Sequence, residues 1–304
     1  MNKIDYSERD SAGKEVFYVL LKKRKGISLN MFDNYWKDVH GPVCARLPGQ
    51  HQYWQFHIAH NEGGIWPKLD GITYDTSEDE QFDGIAELTF LSESDRQEWF
   101  DAASILMSDE HNLFSKAVGY TTLNNDSKTH IDKIENGSPN GGLEIVKLHV
   151  MLAKADSVSV EDFQKYLTNS FTSAVISSSL IHKFRLHLLE EHDNSEELPT
   201  APGVTHYEAL EKQFQAAFEI AFQSRLDMEE FFASEEYGRT LKEQVKYIKQ
   251  ISVFPERDVY TFVYDDEMTL AGQRSSAVAS LIENIGAANQ LQPSILDLMV
   301  GQTI

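Results

Sequence analysis

The sequence predicts an α+β protein made of two tandem ferredoxin-like domains whose sheets pack face to face. The first half reads strand–helix–strand, a long loop, and again strand–helix–strand. The second half repeats this order at a nearly constant distance along the chain. An open sheet with helices on one side leaves its other face bare, and a second sheet of the same kind can cover that face.

The first half supplies four predicted strands and a predicted helix between the last two. Val16 to Leu21 is an apolar run typical of a buried strand, and Tyr53 to Ile58 alternates between two faces. Phe82 to Phe90 predicts a third strand and Glu93 to Ala103 a helix. Tyr120 to Leu123 predicts a fourth strand.

A helix between the first two strands carries apolar residues at three- and four-residue spacing from Phe32 to Leu47. Pro42 falls inside it. Because proline lacks an amide hydrogen and collides with the preceding turn, we expect a kink beside His40. Pro48 and Gly49 end this helix.

The repeat is visible in the helices and in the third strand. Asp227–Phe232 matches Asp95–Phe100 at an offset of 132 residues (227 − 95). Phe163 matches Phe32 at 131 (163 − 32). Glu219 matches Glu87, again at 132. Offsets that stay this constant indicate a tandem repeat.

The second strands of the two halves align at an offset of 130, which sets Leu186-His187 against Phe56-His57. This alignment places Lys183, Arg185 and His187 where Tyr53, Gln55 and His57 stand. A paired charge network between the halves, formed by these basic residues with Glu87 and Glu219, is one interpretation of the pattern.

The two halves differ where chemistry is expected. His40 aligns with Phe171 and Trp36 with Leu167, so the second half has no His-Gly-Pro. We therefore expect the first half to carry a functional site and the second half to support it.

Composition excludes several classes of function. The formal net charge of −21 argues against nucleic acid or an anionic membrane as partner, since phosphate binding needs clustered Lys and Arg. Cys44 is the single cysteine, so neither a disulfide framework nor a thiolate metal site is expected. No apolar run is long enough to span a bilayer. These features predict a cytoplasmic protein.

The run from Tyr35-Trp36 through Val39-His40-Gly41-Pro42 and Leu47-Pro48-Gly49 to Tyr53 resembles the EthD family of the dimeric α+β barrel superfamily. The resemblance covers residues 14–123. In that family two chains dimerise through their sheets. Because this chain carries both halves, the resemblance implies an intramolecular pseudo-dimeric α+β barrel, which could pair further into a homodimer.

The predicted organisation has five parts. They are a flexible N-terminus at 1–14, an EthD-like domain with the His-Gly-Pro motif at 15–123, a linker rich in Asn, Gly and Ser at 124–142, a degenerate EthD-like domain at 143–264, and a helical tail at 265–304.

Two elements near the C-terminus complete the prediction. Val259 to Tyr264 alternates as a strand, which could lie on a sheet edge or bridge the halves. Ser275 to Ile285 reads as an amphipathic helix.

The candidate catalytic residues are His40, His57 and Tyr53. Histidine is the side chain most easily tuned for proton transfer near neutral pH. We expect His40 to point into an aromatic cavity that keeps its ring neutral; the alternative is a structural cap for the kink. The candidate substrate-binding residues are aromatic: Tyr35, Trp36, Trp54, Phe56 and Trp66. Core packing is the alternative for Trp36 and Trp54, and a lid or pocket wall is the interpretation for Trp66, which lies in a loop.

The resemblance implies a cofactor-independent lyase, a decarboxylase or dehydratase acting on a small hydroxylated aromatic or polyketide-like substrate. Two alternatives stay open: a monooxygenase or other oxidoreductase, cofactor-free or with haem on His40 or His111, or its accessory; and a non-catalytic protein that binds a small apolar ligand. No metal is expected, because His51, His57 and His60 lack a carboxylate at helical spacing, and no cofactor motif is present.

Overall fold

The structure is a computed structural model. The residues that it describes are 4–60, 65–74, 76, 78, 80–122, 126–190 and 201–299. Some predictions lie outside these residues: the first three residues of the N-terminus, parts of the long loop of each half (residues 61–64, 75, 77 and 79 in the first half and 191–200 in the second), the end of the fourth strand at Leu123, the first two residues of the linker, and the C-terminal residues 300–304.

Strands make up most of the framework. Those in the described part of the chain are β1 (Glu15–Lys23), β2 (Gln52–Ile58), β3 (Gly84–Phe90), β4 (Phe114–Thr122), β5 (Ser127–Asp132), β6 (Asn140–Gly141), β7 (Val146–Lys154), β8 (Ile181–Leu188), β9 (Ala216–Phe222), β10 (Ile248–Tyr264) and β11 (Glu267–Met268).

Short helices cover the outer faces. They are α1 (Leu29–Tyr35), α2 (Gly41–Cys44), α3 (Glu93–Ala102), α4 (Ser104–Leu113), α5 (Val160–Lys165), α6 (Thr172–Ile176), α7 (Arg225–Ala233), α8 (Glu235–Gly238), α9 (Leu241–Tyr247), α10 (Leu270–Arg274), α11 (Ser276–Ile285) and α12 (Pro293–Met299). Single 3₁₀ turns lie at Leu210–Lys212 and Ala288–Leu291.

Each half forms an antiparallel sheet with the same strand order, β4-β1-β3-β2 in the first half and β10-β7-β9-β8 in the second. Strand β10 joins the two sheets. Its first part, Ile248–Pro255, pairs with β7, and its second part, from Glu256 to Val263, pairs with β2. The predicted tandem ferredoxin-like fold is confirmed, and the strand near residue 260 bridges the halves.

The predicted linker contains strand β5, which extends the second sheet by pairing with β8. It is the counterpart of the second part of β10, because each segment follows the fourth strand of one half and pairs with the second strand of the other. The N-terminal residues rest on β5: the Tyr6 amide donates to the Asp132 carbonyl, and Arg9 Nη2 donates to the Asp132 carboxylate at 2.8 Å.

Strand alternation divides the apolar side chains of each sheet between two faces. On β1, Val16, Tyr18 and Leu20 face the space between the two sheets, the lumen, while Val19 and Leu21 face the helices. The lumen and the two helix-covered faces therefore form three separate cores.

The pairing registers correct the alignment of the second strands. Trp54 lies opposite Glu87, and Arg185 lies opposite Glu219. The counterpart of Arg185 is therefore Trp54, at an offset of 131 rather than 130. A slip of one residue moves every side chain of a strand to the other face. Consequently Arg185 and His187 face the lumen, whereas His57 faces the helices.

The helix that contains His40, for which we expected a proline kink, has a π-helical turn at Trp36–His40 between α1 and α2. The second half has the same kind of turn at Tyr166–Phe171, followed by Thr172 and Ser173 instead of a proline. The irregularity is therefore a property of the repeated fold, and Pro42 only accommodates it. Turns of this kind are frequent at functional sites.

None of the helices in the described part of the chain combines the length and the apolar character that a membrane crossing requires.

Candidate active site

A buried histidine–aspartate pair lies on the helix-covered face of the first sheet. His57 on β2 places Nδ1 2.9 Å from Oδ1 of Asp33 on α1. Its ring stacks on Trp36, with 4.6 Å between centroids and 23° between planes. Its other nitrogen, Nε2, lies 3.3 Å from Oε1 of Gln55. The π turn carries Trp36 and so holds the indole against the imidazole.

Burial lowers the pKa of His57, although the hydrogen bond to Asp33 opposes that change. The neutral ring therefore dominates near pH 7. Since Nδ1 donates to the Asp33 carboxylate, the lone pair of the neutral ring is on Nε2, which faces Gln55 Oε1. A proton taken up there can be donated to Gln55 Oε1.

The Asp33 carboxylate stays ionised. Burial alone would raise its pKa, but hydrogen bonds and charge from His57 and Arg257 outweigh burial and lower it. Arg257 Nη2 contacts both carboxylate oxygens, at 3.1 and 3.0 Å. A fixed carboxylate next to a neutral imidazole stabilises the imidazolium that forms when the ring accepts a proton.

His40 belongs to a second pair of the same kind. Its Nδ1 lies 2.9 Å from Asp109 Oδ2 on α4, and the Tyr35 hydroxyl donates to the other oxygen at 2.6 Å. The bond with His40 holds the pKa of Asp109 well below its usual range, and the same carboxylate raises the pKa of Tyr35 to about 12. The ring edge of His40 packs on Phe114.

Tyr53 joins the first pair through Gln55. The Gln55 amide nitrogen donates to the Tyr53 hydroxyl at 2.7 Å and to the Trp36 carbonyl at 3.1 Å. Burial raises the pKa of Tyr53 well above its ordinary value, so it remains a phenol. The structure therefore assembles Tyr53, Gln55 and His57 into one chain of hydrogen bonds.

Three predicted binding residues lie elsewhere. Trp54 and Phe56 face the lumen, because they alternate with Tyr53, Gln55 and His57 along β2. Trp66 is buried in the core of the second half, 4.9 Å from Phe232 between ring centroids. The loop that carries Trp66 crosses to the other half, which the sequence does not reveal. Trp36 and Tyr35 do contact the two histidine–aspartate pairs.

The second half has no such pairs at the equivalent positions. With the offset of 131, apolar or amide side chains stand at five of the polar positions: Leu188 for His57, Gln164 for Asp33, Phe171 for His40, Leu186 for Gln55 and Phe184 for Tyr53.

A second polar cluster lies in the lumen and was interpreted from sequence only as a charge network. Arg185 Nη2 donates to Oε1 of Glu87 at 2.7 Å. Lys147 and Lys183 approach Oε2 of Glu219 at 2.7 and 3.4 Å. The predicted pairing between the halves is therefore present for Arg185 and Glu87.

Two of the lumen glutamates, Glu87 and Glu219, have opposite pKa shifts. Burial raises the pKa of Glu87, and the nearby Arg185 only partly offsets it. Burial also acts on Glu219, but Lys147 and Lys183 outweigh it and lower its pKa well below the ordinary value. A cavity of about 30 Å³ adjoins both glutamates, and Arg9 and Gly137 also line it. It has room for roughly two water molecules.

These features define the class of protein: an α+β barrel of the dimeric type, closed within a single chain. Residues 24–117 match the family model of the EthD domain. A search of curated proteins found no match.

Similar solved structures share low sequence identity with the chain. A provisionally assigned monooxygenase from Lactobacillus acidophilus is 10% identical with a TM-score of 0.46, covering 84% of this chain and 98% of its own. An anthrone oxidase-like protein is 6% identical with a TM-score of 0.49, covering 83% and 93%. A dye-decolorizing peroxidase from Bacteroides thetaiotaomicron is 11% identical with a TM-score of 0.43, covering 89% and 95%.

Proposed function

We propose that the protein is a cofactor-independent lyase that removes carbon dioxide or water from a small hydroxylated aromatic or polyketide-like substrate. The observation that supports this proposal is the buried His57–Asp33 pair, in which burial favours the neutral imidazole and Nε2 is the nitrogen left to accept a proton. A base of this kind is what proton abstraction near neutral pH requires.

In the proposed reaction His57 Nε2 removes a proton from the substrate, and Asp33 stabilises the resulting imidazolium. For dehydration the proton comes from the carbon next to a carbonyl, and the hydroxyl leaves with a proton as water. For decarboxylation the proton comes from a phenolic hydroxyl or the carboxyl group; the bond to the carboxylate carbon breaks, and the imidazolium returns the proton to the carbanion. The Tyr53 phenol donates a hydrogen bond to the substrate oxygen that gains charge.

His40 is the proposed acid of the same site. Asp109 holds it through Nδ1, and Tyr35 fixes the other oxygen of that carboxylate. Trp36 stacks on His57 and lies 6.4 Å from Phe114 between ring centroids, while His40 lies 5.7 Å from Phe114. Both histidines therefore contact one aromatic group, which is the proposed wall for an aromatic substrate.

The test is a panel of hydroxylated aromatic acids and β-hydroxy ketones, with product mass and oxygen uptake recorded together. We expect loss of carbon dioxide or water without oxygen uptake. His57→Gln should lower turnover by roughly a hundred- to ten-thousandfold, the range typical of a lost general base. Product formation that consumes oxygen would instead establish the oxidoreductase alternative.

The control is His60→Gln, the same substitution in a histidine that also hydrogen-bonds an aspartate, Asp83, at 2.8 Å. The His60 side chain is 54% exposed and lies outside the proposed site. Its turnover should equal that of the unchanged protein. Equal losses in the two variants would remove His57 from the mechanism.

A further inference from the structure

Three potential metal ligands converge in the lumen, on the sheet face opposite the proposed acid–base site. They come from three strands: Glu87 from β3, His187 from β8 and Glu219 from β9. One ligand atom from each lies within 4.8 Å of the other two. All three side chains are buried.

The imidazole of His187 points an unpartnered nitrogen into this group. Its Nδ1 is engaged by the Ser127 hydroxyl at 2.8 Å. Its Nε2 has no hydrogen-bond partner, although the side chain is 0% exposed. That atom lies 3.8 Å from Glu87 Oε2 and 4.0 Å from Glu219 Oε1. A buried nitrogen without a partner is costly unless something binds it.

The basic side chains around the cluster hold the other oxygen of each carboxylate. Arg185 binds Oε1 of Glu87, which leaves Oε2 facing His187. Lys147 and Lys183 approach Oε2 of Glu219, which leaves Oε1 facing His187. In metal centres the ligating side chains are commonly held in place by contacts from neighbouring residues, as these carboxylates are.

We propose that Glu87 Oε2, Glu219 Oε1 and His187 Nε2 bind one divalent transition-metal ion of the Zn²⁺, Mn²⁺ or Fe²⁺ kind. Imidazole and carboxylate ligands suit these ions. Bonds of about 2.0–2.2 Å require the three atoms to move closer together than the 3.8 and 4.0 Å that separate His187 Nε2 from the two carboxylate oxygens. The adjoining cavity, which the same two glutamates line, has room for the waters that complete the coordination shell.

The charge of the lumen is compatible with a cation. The ion pairs there join five carboxylates to four basic side chains, which leaves one negative charge in excess; the carboxylates are Asp10, Glu87, Asp132, Glu219 and Glu256, and the bases are Arg9, Lys147, Lys183 and Arg185. A divalent ion reverses this excess to one positive charge, which a metal-bound hydroxide can neutralise.

His149 provides a matched control, since it is also a fully buried histidine of the lumen. Its Nδ1 lies 3.3 Å from the Tyr18 hydroxyl and its Nε2 2.8 Å from Glu256 Oε2, so neither nitrogen is free to bind a metal. His187→Gln and His149→Gln therefore change the same side chain in the same core.

The experiment titrates the full chain, freed of metal with a chelator, with Zn²⁺ by calorimetry and repeats the titration with Co²⁺ by absorption. We expect one tight Zn²⁺ per chain in the unchanged protein and in His149→Gln. In His187→Gln the affinity should fall by at least about tenfold. Unchanged binding in His187→Gln would show an adventitious surface ion only, and absence of tight binding in the unchanged protein would overturn the proposal.

A second measurement does not depend on the variants folding. Crystals of the unchanged protein soaked in Zn²⁺ should give an anomalous peak within bonding distance of Glu87, His187 and Glu219. A peak only at another place, or none, would contradict the site.

Discussion

The two halves share one fold, but their second strands, β2 and β8, place their polar side chains on opposite faces of the sheets. In the first half the helix-covered face carries Tyr53, Gln55 and His57, and its lumen face carries Trp54 and Phe56. In the second half the helix-covered face is apolar, and the lumen face carries the basic side chains and two histidines.

This difference shows how a repeated fold can carry two clusters of polar side chains, one under the helices and one in the lumen, while both copies keep the same strand order. Each second strand presents one polar and one apolar face, and the two copies differ only in which face is polar. Because the lumen is shared, Trp54 and Phe56 of β2 supply an apolar wall beside the charges of β8. The first sheet can therefore carry acid–base groups against its helices while the second carries charge inside the barrel.

We expect the largest loss of stability when the buried ion pair between Arg185 and Glu87, which joins the two halves, is disrupted. Arg185→Leu leaves the Glu87 carboxylate buried beside an apolar side chain. Removing one partner of a buried ion pair costs about 3–5 kcal/mol. Urea unfolding followed by circular dichroism should show a loss of that size.

The double variant Arg185→Leu with Glu87→Gln sharpens this prediction. It removes both charges, so it should recover most of the lost free energy of unfolding. A double variant as unstable as Arg185→Leu would show that the pair itself is not what stabilises the contact.

Acid should destabilise both halves through buried histidines. Burial lowers the pKa of His57, lowers that of His130 on β5 to about 4, and with Arg185 lowers that of His187 well below the ordinary value of 6.5. The unfolded chain binds protons on these rings below about pH 6.5 while the folded chain does not, so stability falls as the pH decreases through that value. Glu87 has the opposite effect on stability. Because its pKa is raised in the folded chain, the folded chain binds this proton before the unfolded chain does, so stability rises as the pH decreases through that folded pKa.

His130→Gln tests this prediction directly, because the folded pKa of about 4 defines the pH range in which His130 should affect stability. Between pH 6.5 and about 4 the free energy of unfolding should depend less on pH in the variant than in the unchanged protein. The same slope in both would show that His130 titrates alike in the folded and unfolded chains.

We expect the smallest loss of stability from substitutions in the helix N-caps that the two halves share. Ser92 caps α3 by accepting from the Asp95 amide, and Ser224 caps α7 by accepting from the Asp227 amide. Ser92→Ala and Ser224→Ala should each cost about 1 kcal/mol, measured by urea unfolding. A loss in one half only would contradict the structural equivalence of the copies.

The sequence predicted the fold well because the repeat is strong in the helices and third strands. Offsets of 131 and 132 fixed the equivalence of Phe32 with Phe163 and of Glu87 with Glu219, and the registers agree with it. The second strands were the exception. The pairing of β8 with β9 shifts between Ile181 and Lys183, and short polar strands carry no signal that fixes their alignment to one residue.

The candidate site was predictable in part. His57 and Tyr53 share a strand face, which alternation reveals, and the structure links them through Gln55. Their acidic partners were missed: Asp33 lies 24 residues before His57, and Asp109 lies 69 after His40. The lumen cluster was missed as a site because its three ligands come from three strands of two halves, so no local spacing joins them.

In the proposed site His57 is a neutral base held by Asp33, and the protonation of its ring can be measured directly. Nitrogen-15 NMR of the imidazoles, assigned with His57→Gln, reports which ring nitrogen carries a proton. We predict a neutral ring protonated on Nδ1 at pH 7, with a pKa below 6.5. A ring protonated on both nitrogens at pH 7, or a proton on Nε2 alone, would contradict the account.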